Sequence, residues 1–509
     1  MLRRIPAAAL LLALGACTVG PNFEAPEWLS PASWFGPKAE SLPNARSIAV
    51  AEPIDPNWWK LFRDPELTKL EHRVADENLD VQIATVRIAQ SRAQLGVAGA
   101  AQFPTLNGNG SYTRQKASDV GVFANSPNPL GANGASGNTA GGVRSSHLNP
   151  FDVYQVGFDA SWELDLWGKV RRSVESATAS VVASNEARRD TLLSSLAEVA
   201  RDYIQLRGTQ LLLQIARDNV KIAQQNLDLT QQRAAGGVTT DLDVANAAAQ
   251  LRTTAAEIPR LEQQESELIN AISLLLGLPP NALQTELIRA KPVPPVPPRV
   301  PVGLPSELAR RRPDIRQAEA QLHGATADIG VAVADFYPSV KLSGSVGLQA
   351  IQPWKMFNID ARQYGVGPGV TIPIFEGGRL KATLQLRKAQ QQEAAIAYQK
   401  TVLSAWHEVD NALTAYRTEQ ARRDQLTQAV AQNQRALGLA QSRYQEGVAD
   451  FLQVLTAQQN LLSTQQQLAL ATTNVSANLV ALYKALGGGW ETQLPRANDN
   501  LSPIGAPHL

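Results

Sequence analysis

Two stretches of the chain keep apolar residues at helical spacing far longer than an ordinary helix runs. From Gly168 to Ala235 proline is absent and the one internal glycine is Gly208; from Gly378 to Glu446 the same holds, with Gly438. Each run is about 67 residues, or about 100 Å as an α-helix, where helices of globular proteins average ~10–14 residues. Ile215, Ile222 and Leu229 lie seven apart, as do Val430, Leu437 and Tyr444, a spacing that predicts coiled-coil packing. The positions between are Gln, Arg, Ala, Asp and Thr. A helix polar over so much of its surface must meet water on more than one side. The pattern breaks at Gly236-Gly237 and at Gly447, then resumes as far as Leu276 and Leu486. So short a turn returns the chain antiparallel. Two helical hairpins are therefore predicted, with tips near Gly237 and Gly447.

Other segments alternate with period two. In "VYQVGFDASWELDLW", Val156, Phe158, Ala160, Trp162, Leu164 and Leu166 fall on one side, and Gln155, Asp159, Ser161, Glu163 and Asp165 on the other. Val340, Leu342, Val346 and Leu348 likewise oppose Lys341, Ser343, Ser345 and Gln349, and Tyr364, Val366, Val370, Ile372 and Ile374 alternate with Gly365, Gly367, Gly369 and Thr371. Such alternation places residues on opposite faces of a strand. A weaker strand, mostly Asn, Gly, Ser and Thr, runs from Phe103 to Thr113. Strands of about ten residues with one apolar face suit a transmembrane barrel, but four strands fall short of the roughly eight that a single chain needs to close one. Either the sheet is half-buried in a soluble protein, or several chains share one barrel.

Helices and strands recur as two copies of one plan. "GVAGAAQFPTLNGNGS" from Gly96 resembles "GVAVADFYPSVKLSGS" from Gly330, 234 residues on. "RAAGGVTTDLDV" from Arg233 resembles "RYQEGVADFLQV" from Arg443, 210 residues on, and Leu276-Gly277 and Leu486-Gly487 keep that interval. The shorter interval places an insertion in the first copy, within the Gly-, Asn- and Ser-rich stretch between Lys116 and Pro150. Between the copies lies a linker stiffened by proline, unsuited to a central strand or helix.

The only cysteine, Cys17, follows Arg3, Arg4 and the apolar run Ala7–Leu14. That is the plan of a secretory signal peptide. Leu14 spoils the small third-last position that an ordinary cleavage wants. Leu14-Gly15-Ala16-Cys17 instead looks like a bacterial lipobox, cleaved before Cys17 with the thiol acylated. A secreted protein with an incidental free thiol is the alternative, and an unpaired cysteine is a liability in an oxidising compartment. Thr18 is not the Asp read as an inner-membrane retention signal, so the mature terminus is expected at the inner face of the outer membrane. Several acyl chains on one cysteine anchor far better than one.

Composition narrows the function. Lys plus Arg number 47 against 46 acidic residues, which gives no footing for nucleic acid. His72, His147, His323, His407 and His508 show no metal-ligand spacing. There is no phosphate loop and no G-x-S-x-G elbow, although a lone carboxylate pair stays open. Past the leader no run of about 20 apolar residues exists, so a helical span is excluded.

With these pieces assembled, the chain resembles the TolC-like outer-membrane efflux factors, in their lipoprotein (NodT/OprM-like) branch. The resemblance rests on "CTVGPNFEAP" from Cys17, "WW" at Trp58-Trp59 followed by "LFRDPEL", "RRPDIRQAEAQL" from Arg311, "YPSV" from Tyr337, "IPIFEGGR" from Ile372 and "LYKALGGGW" from Leu482. It implies a mainly α fold with a small β part. Long antiparallel helical hairpins would form a periplasmic α-barrel, and four strands per protomer would join a trimeric twelve-stranded transmembrane β-barrel. The expected divisions are a signal peptide at 1–16, a lipidated N-terminal extension at 17–75 and a first repeat at 76–278. A Pro-rich equatorial linker at 279–312, a second repeat at 313–488 and a tail at 489–509 follow.

The resemblance further implies a passive, non-enzymatic exit duct for drugs and other small compounds, without cofactor beyond a covalent lipid (palmitate among its chains) on Cys17. Its partners would be two further copies, a periplasmic adaptor, an inner-membrane transporter of the resistance-nodulation-division type, and outer-membrane lipid. Phe158, Trp162, Leu164, Leu342, Val346 and Ile372 would face lipid, and Asp159, Glu163 and Lys341 the lumen. Gly236, Gly237, Val238, Gly447 and Val448 match the tip positions that meet the adaptor. The family's gate carries an apolar ring, matched by Leu452, and an aspartate ring, matched by Thr456; a nearby Arg position is Gln459. The expected gate is therefore the neutral group Leu452, Gln453, Thr456 and Gln459, with Asp243, Asp241 or Asp450 as substitute charges. Asp before an apolar run is also a common helix cap. The competing reading is a non-channel periplasmic coiled-coil lipoprotein scaffold.

Overall fold

The computed structural model describes residues 18–26, 47–116 and 150–491. The leader, Cys17, the core of the insertion and the tail lie outside them. The described chain divides into two compact units.

One unit comprises residues up to Phe23, Ala93–Thr178 and His323–Gln391. It holds β2 (Thr105–Gln115), β3 (Phe151–Leu164), β5 (Ser339–Ala350) and β6 (Arg362–Thr371), an antiparallel sheet in the order β2-β3-β5-β6. The central pairing, β3 with β5, joins the two copies. The register aligns Gly108, Phe158, Val346 and Tyr364 across all four strands, and Asn107, Asp159, Ser345 and Gly365 one step along. Trp162 pairs with Leu342, and Glu163 with Lys341. Apolar residues thus share one face and polar ones the other. That apolar face is bare: Tyr364 is 85% exposed and Val366 79%. Several expected strand positions fall outside. β2 starts at Thr105, after Phe103; β3 ends at Leu164, before Asp165 and Leu166; and β6 ends at Thr371, before Ile372 and Ile374. Pro373 follows Ile372 and has no N–H to continue a ladder.

The second unit comprises Glu24–Arg92, Ala179–Leu322 and Gln392–Leu509. α1 (Pro65–Glu77) starts with Asp64 capping Glu66 and Leu67 and with proline at its first position. α2 (Leu79–Ala100) leads toward β2. The long runs fold as α3 (Lys169–Ala235) and α6 (Arg379–Gln445), 67 residues each. They return as α4 (Asp241–Leu275) and α7 (Phe451–Ala485), 35 residues each. α5 (Pro313–Ala334) opens the second copy.

The core surrounds Trp58, Trp59 and Phe62, with Trp58 stacked 5.5 Å from Tyr483. The Pro-rich linker is fastened to this core. Leu283, Leu287, Val300 and Leu308 are buried. β4 (Arg299–Pro301) pairs in parallel with β1 (Ile48–Val50), tying the linker to the N-terminal extension. Arg207 donates to the carbonyls of Leu287 and Arg289 at 3.2 and 2.9 Å.

Along α3 the buried seam differs from the sequence expectation. Leu213, Ala216, Ala223 and Leu227 are buried, whereas Ile215, Ile222 and Leu229 are half-buried beside them. On a helix polar nearly all round, local pattern fixes the heptad spacing but leaves the rotation about the axis to the packing partner.

Candidate functional site: hairpin tips and anchor strap

The two tips are built alike. α3 ends with Gly237 in a left-handed conformation at φ 71°, and α6 with Gly447 at φ 78°, a conformation glycine adopts without Cβ strain. Val238 donates its N–H to Arg233 O at 2.9 Å, and Val448 to Arg443 O at 3.0 Å. Both valines, with Gly236 beside them, are exposed at the turn.

The returning helices are capped differently from one another. Asp450 caps α7, accepting from Gln453 N at 3.2 Å. On the first hairpin the cap is Thr240, one residue before Asp241. Asp243 completes a capping box with it. The Asp243 carboxylate accepts from Thr239 Oγ1 at 2.5 Å, Thr240 N at 3.3 Å and Thr240 Oγ1 at 3.1 Å. The Thr239 hydrogen bond, ahead of the others, holds its pKa below the ordinary aspartate value. Asp243 is thus engaged by its own turn. Leu452, Thr456 and Gln459 form one exposed stripe along α7, with Gln453 beside it; Phe451, Val454, Gln458 and Leu461 are buried opposite. Thr456 Oγ1 donates back to Leu452 O at 2.8 Å, and Gln459 donates to Gln250 Oε1 at 3.0 Å.

Sequence reasoning missed the polar side chains inside this bundle. Asn226 Nδ2 donates to Gln458 Oε1 at 2.7 Å, and Asn219 Nδ2 to Gln465 Oε1 at 3.0 Å. Gln441 reaches Asn226 Oδ1 at 3.2 Å. The Arg233 guanidinium lies 4.6 Å over the Tyr444 ring and donates to Gln445 O at 3.1 Å. The available signal was amide side chains exactly one heptad apart on both helices.

In the other unit, the residues just after Cys17 form a strap. Val19 N donates to Trp167 O at 3.1 Å; Arg172 donates to Val19 O at 3.3 Å and to Asn22 Oδ1 at 2.7 Å. Gly20, at φ 92°, presses on Gly330 so closely that an added Cβ would sit 2.5 Å from Gly330 Cα. Trp167 stacks on Tyr337 at 4.8 Å next to the end of β3. His323 meets Glu175 at 2.9 Å and Phe23 by stacking.

On the sheet, Phe158, Trp162, Leu164, Leu342 and Val346 share the apolar face, and Asp159, Glu163 and Lys341 the polar one. Lys341 and Glu163 lie 3.5 Å apart.

With this geometry, comparison with known proteins is decisive. Residues 70–278 and 304–488 match the model of the family described as outer membrane efflux protein. The chain belongs to this family. It is 31% identical over 96% of its length to an antibiotic efflux pump outer membrane protein, ArpC, of Pseudomonas putida, covering 96% of that relative. It is 33% identical to nodulation protein T of Rhizobium leguminosarum bv. viciae, covering 96% of this chain and 94% of that one. The solved outer-membrane channel OprN superposes with a TM-score of 0.83 at 33% identity, over 94% of this chain and 100% of that one. The efflux protein described here is thus an outer-membrane exit channel of a tripartite pump, in the NodT/OprM branch, extending into the periplasm. No helix among the described residues is long and apolar enough to cross a membrane.

Proposed function

We propose that three copies close their four-stranded sheets into one twelve-stranded barrel, and that the helical hairpins continue it as a hollow periplasmic duct. The observation that carries this reading is the sheet itself. β2 and β6 are edge strands with free ladders, and its apolar face is exposed. A soluble monomer keeps neither without cost. Closure with copies satisfies the edges, and lipid covers the face. In this arrangement Phe158, Trp162, Leu164, Leu342 and Val346 meet lipid, while Asp159, Glu163 and Lys341 line the lumen.

Cys17 carries the acyl chains, and the Thr18–Phe23 strap that follows it is fastened to Trp167 and Arg172. The tips at Gly236–Val238 and Gly447–Val448 meet a periplasmic adaptor, which joins the channel to an energy-using inner-membrane transporter of the resistance-nodulation-division type. The stripe of Leu452, Thr456 and Gln459, with Gln453, forms the resting gate. The channel passes small amphipathic compounds, as the antibiotic efflux relative's name suggests, and performs no catalysis. Native mass spectrometry of the detergent-extracted protein should give a trimer with acylated Cys17, and planar bilayers should show ion-conducting openings. A monomer without conductance would return the reading to a periplasmic scaffold.

A further inference from the structure

The polar face of the sheet changes character at one end. Along most of its length it carries Asn107, Asp159 and Ser345 in one row, Gln155 beside Gln349 in another, and Glu163 beside Lys341 in a third. At the end away from α2 and α3, the same face presents Phe151 opposite Gln115 and Val153 opposite Thr113, and Ile351 follows directly on β5. The other face changes the opposite way. Tyr112 and Tyr154, with ring centroids 5.0 Å apart, end the apolar side, and Arg114 lies 3.9 Å from Asp152 just beyond them.

A strand needs roughly 9–11 residues to cross a bilayer, and β3 has 14. Aromatic residues collect where a barrel meets the membrane surface, so the tyrosine pair marks that level and the strand ends beyond it stand in water. Charges on the outward side suit that position. Apolar side chains on the inward side do not, because water bathes that side too.

The turn joining β5 to β6 makes this inverted rim into a cavity. It holds two short 3-10 turns, Pro353–Lys355 and Ile359–Ala361. Between the turn and the strands lies a space of about 630 Å³, floored by Phe151, Val153 and Ile351 and rimmed by Gln349, Lys355 and Asp360. Small-molecule sites run from roughly 300 to 1,000 Å³, with an apolar lining and a few placed polar groups. Lys355 and Asp360 are exposed at the rim and opposite in charge.

We propose that this rim is a cargo-binding site at the outlet, fitted to an aromatic molecule of drug size that carries one anionic and one cationic group. Its ring lies on Phe151, Val153 and Ile351. Its anion meets Lys355, its cation meets Asp360, and the Gln349 amide takes a remaining polar atom. The occupant arrives through the duct, because the cavity continues the polar face that lines the lumen in the reading above; the proposal rests on that reading. The polar wall below offers an aromatic ring no apolar contact, so the ring settles where the wall turns apolar. A molecule held there narrows the path for ions.

The test uses the full-length trimer and dansyl-lysine, a naphthalene sulfonamide with one carboxylate and one ammonium whose emission rises in apolar surroundings. Added on the outer side of a planar bilayer, it should block the ion current with saturation, and its emission should rise on mixing with the detergent-extracted protein. Phe151→Ser/Val153→Ser should raise the half-blocking concentration at least fivefold and weaken the emission change alike, with the probe-free conductance kept. Ile351→Asn lies outside the strands and should do the same in a protein that native mass spectrometry shows to be trimeric. Dansylamide, which keeps the ring without the two charges, should block the native channel at least fivefold more weakly than dansyl-lysine, and Lys355→Gln/Asp360→Asn should abolish that difference. Open channels without saturable block overturn the proposal, as does equal block of the native and Ile351→Asn channels. An emission change that no variant alters shows partition into detergent and overturns it too. A protein without ion-conducting openings instead removes the lumen reading on which the proposal stands.

Discussion

Phe23 lies flat on His323, ring centroids 4.4 Å apart and planes 11° from parallel, and His323 Nε2 meets Glu175 Oε1 at 2.9 Å. One short stack thus closes the strap that follows Cys17 in sequence onto α3 and α5.

The strap should be acid-sensitive. Burial pushes the Glu175 carboxyl up, but hydrogen bonds from Arg172 and His323 outweigh it and hold the pKa below the ordinary glutamate value. A carboxyl depressed in the folded state stabilises it above the unfolded pKa, near 4.5, and loses that contribution as pH falls through the lower folded value. Limited proteolysis near Phe23 should therefore accelerate as pH falls below the ordinary glutamate value of 4.5 and through the lower folded one. His323→Ala should remove a stack of about 0.5–1.5 kcal/mol and open the strap at neutral pH, with the trimer intact on a native gel.

Glu71 should prove a liability. It is fully buried on α1, and neither carboxylate oxygen has a hydrogen-bond partner among the described residues. Burial raises its pKa well above the ordinary value. Here the folded state favours the protonated acid, so Glu71 costs stability increasingly as pH rises past the unfolded pKa. Glu71→Leu should stabilise the fold by about 1–3 kcal/mol at neutral pH, since apolar replacement of a buried charge is often favourable. Melting curves at pH 4 and pH 8 should show the gain shrinking at the lower pH.

The sheet register predicts opposite outcomes for two neighbours. Phe158 lies mid-strand on the apolar face and Asp159 on the polar face. Phe158→Arg should cost about 2–4 kcal/mol of barrel stability if it sits near mid-membrane. Asp159→Arg should leave assembly intact and shift the reversal potential toward anions. The reverse pattern would mean a one-residue slip, which inverts every face.

At the proposed gate, Thr456→Asp should introduce cation preference and block by divalent cations, because a narrow ring of carboxylates selects for cations. Asp243→Asn should leave divalent block unchanged, since its carboxylate is held in the Thr239–Thr240 turn. Its effect should be a loss of about 0.5–1 kcal/mol of tip stability. The native contribution is present above pH about 4 and fades as pH falls through the depressed folded pKa. Single-channel recordings with and without magnesium, beside thermal melts, separate the two.

Much of the architecture was legible in local pattern. A run of 67 residues free of proline predicts a long helix, and α3 and α6 start just after Gly168 and Gly378 and end just before the tip glycines Gly236 and Gly447. Gly237 and Gly447 mark turns because their positive φ suits glycine alone. Period-two alternation placed Phe158 and Asp159 on opposite faces, since a strand turns 180° per residue. The repeat intervals located the insertion and paired the two hairpins.

Other features depend on what meets what across long separations. Ile215 and Ile222 have the heptad spacing, yet Ala216 and Ala223 take the seam, because the partner helix sets the rotation. Asn226 reads as one more polar residue on a polar helix; only its contact with Gln458, 232 positions away, makes it a buried tie between the two hairpins. Asp243 reads as a capping or a gate charge, and the folded turn brings it into a capping box because Thr239 and Thr240 stand within reach. Periodicity is a property of neighbours along the chain, whereas the choice of buried face and hydrogen-bond partner belongs to the packing of segments that the chain brings together only once folded.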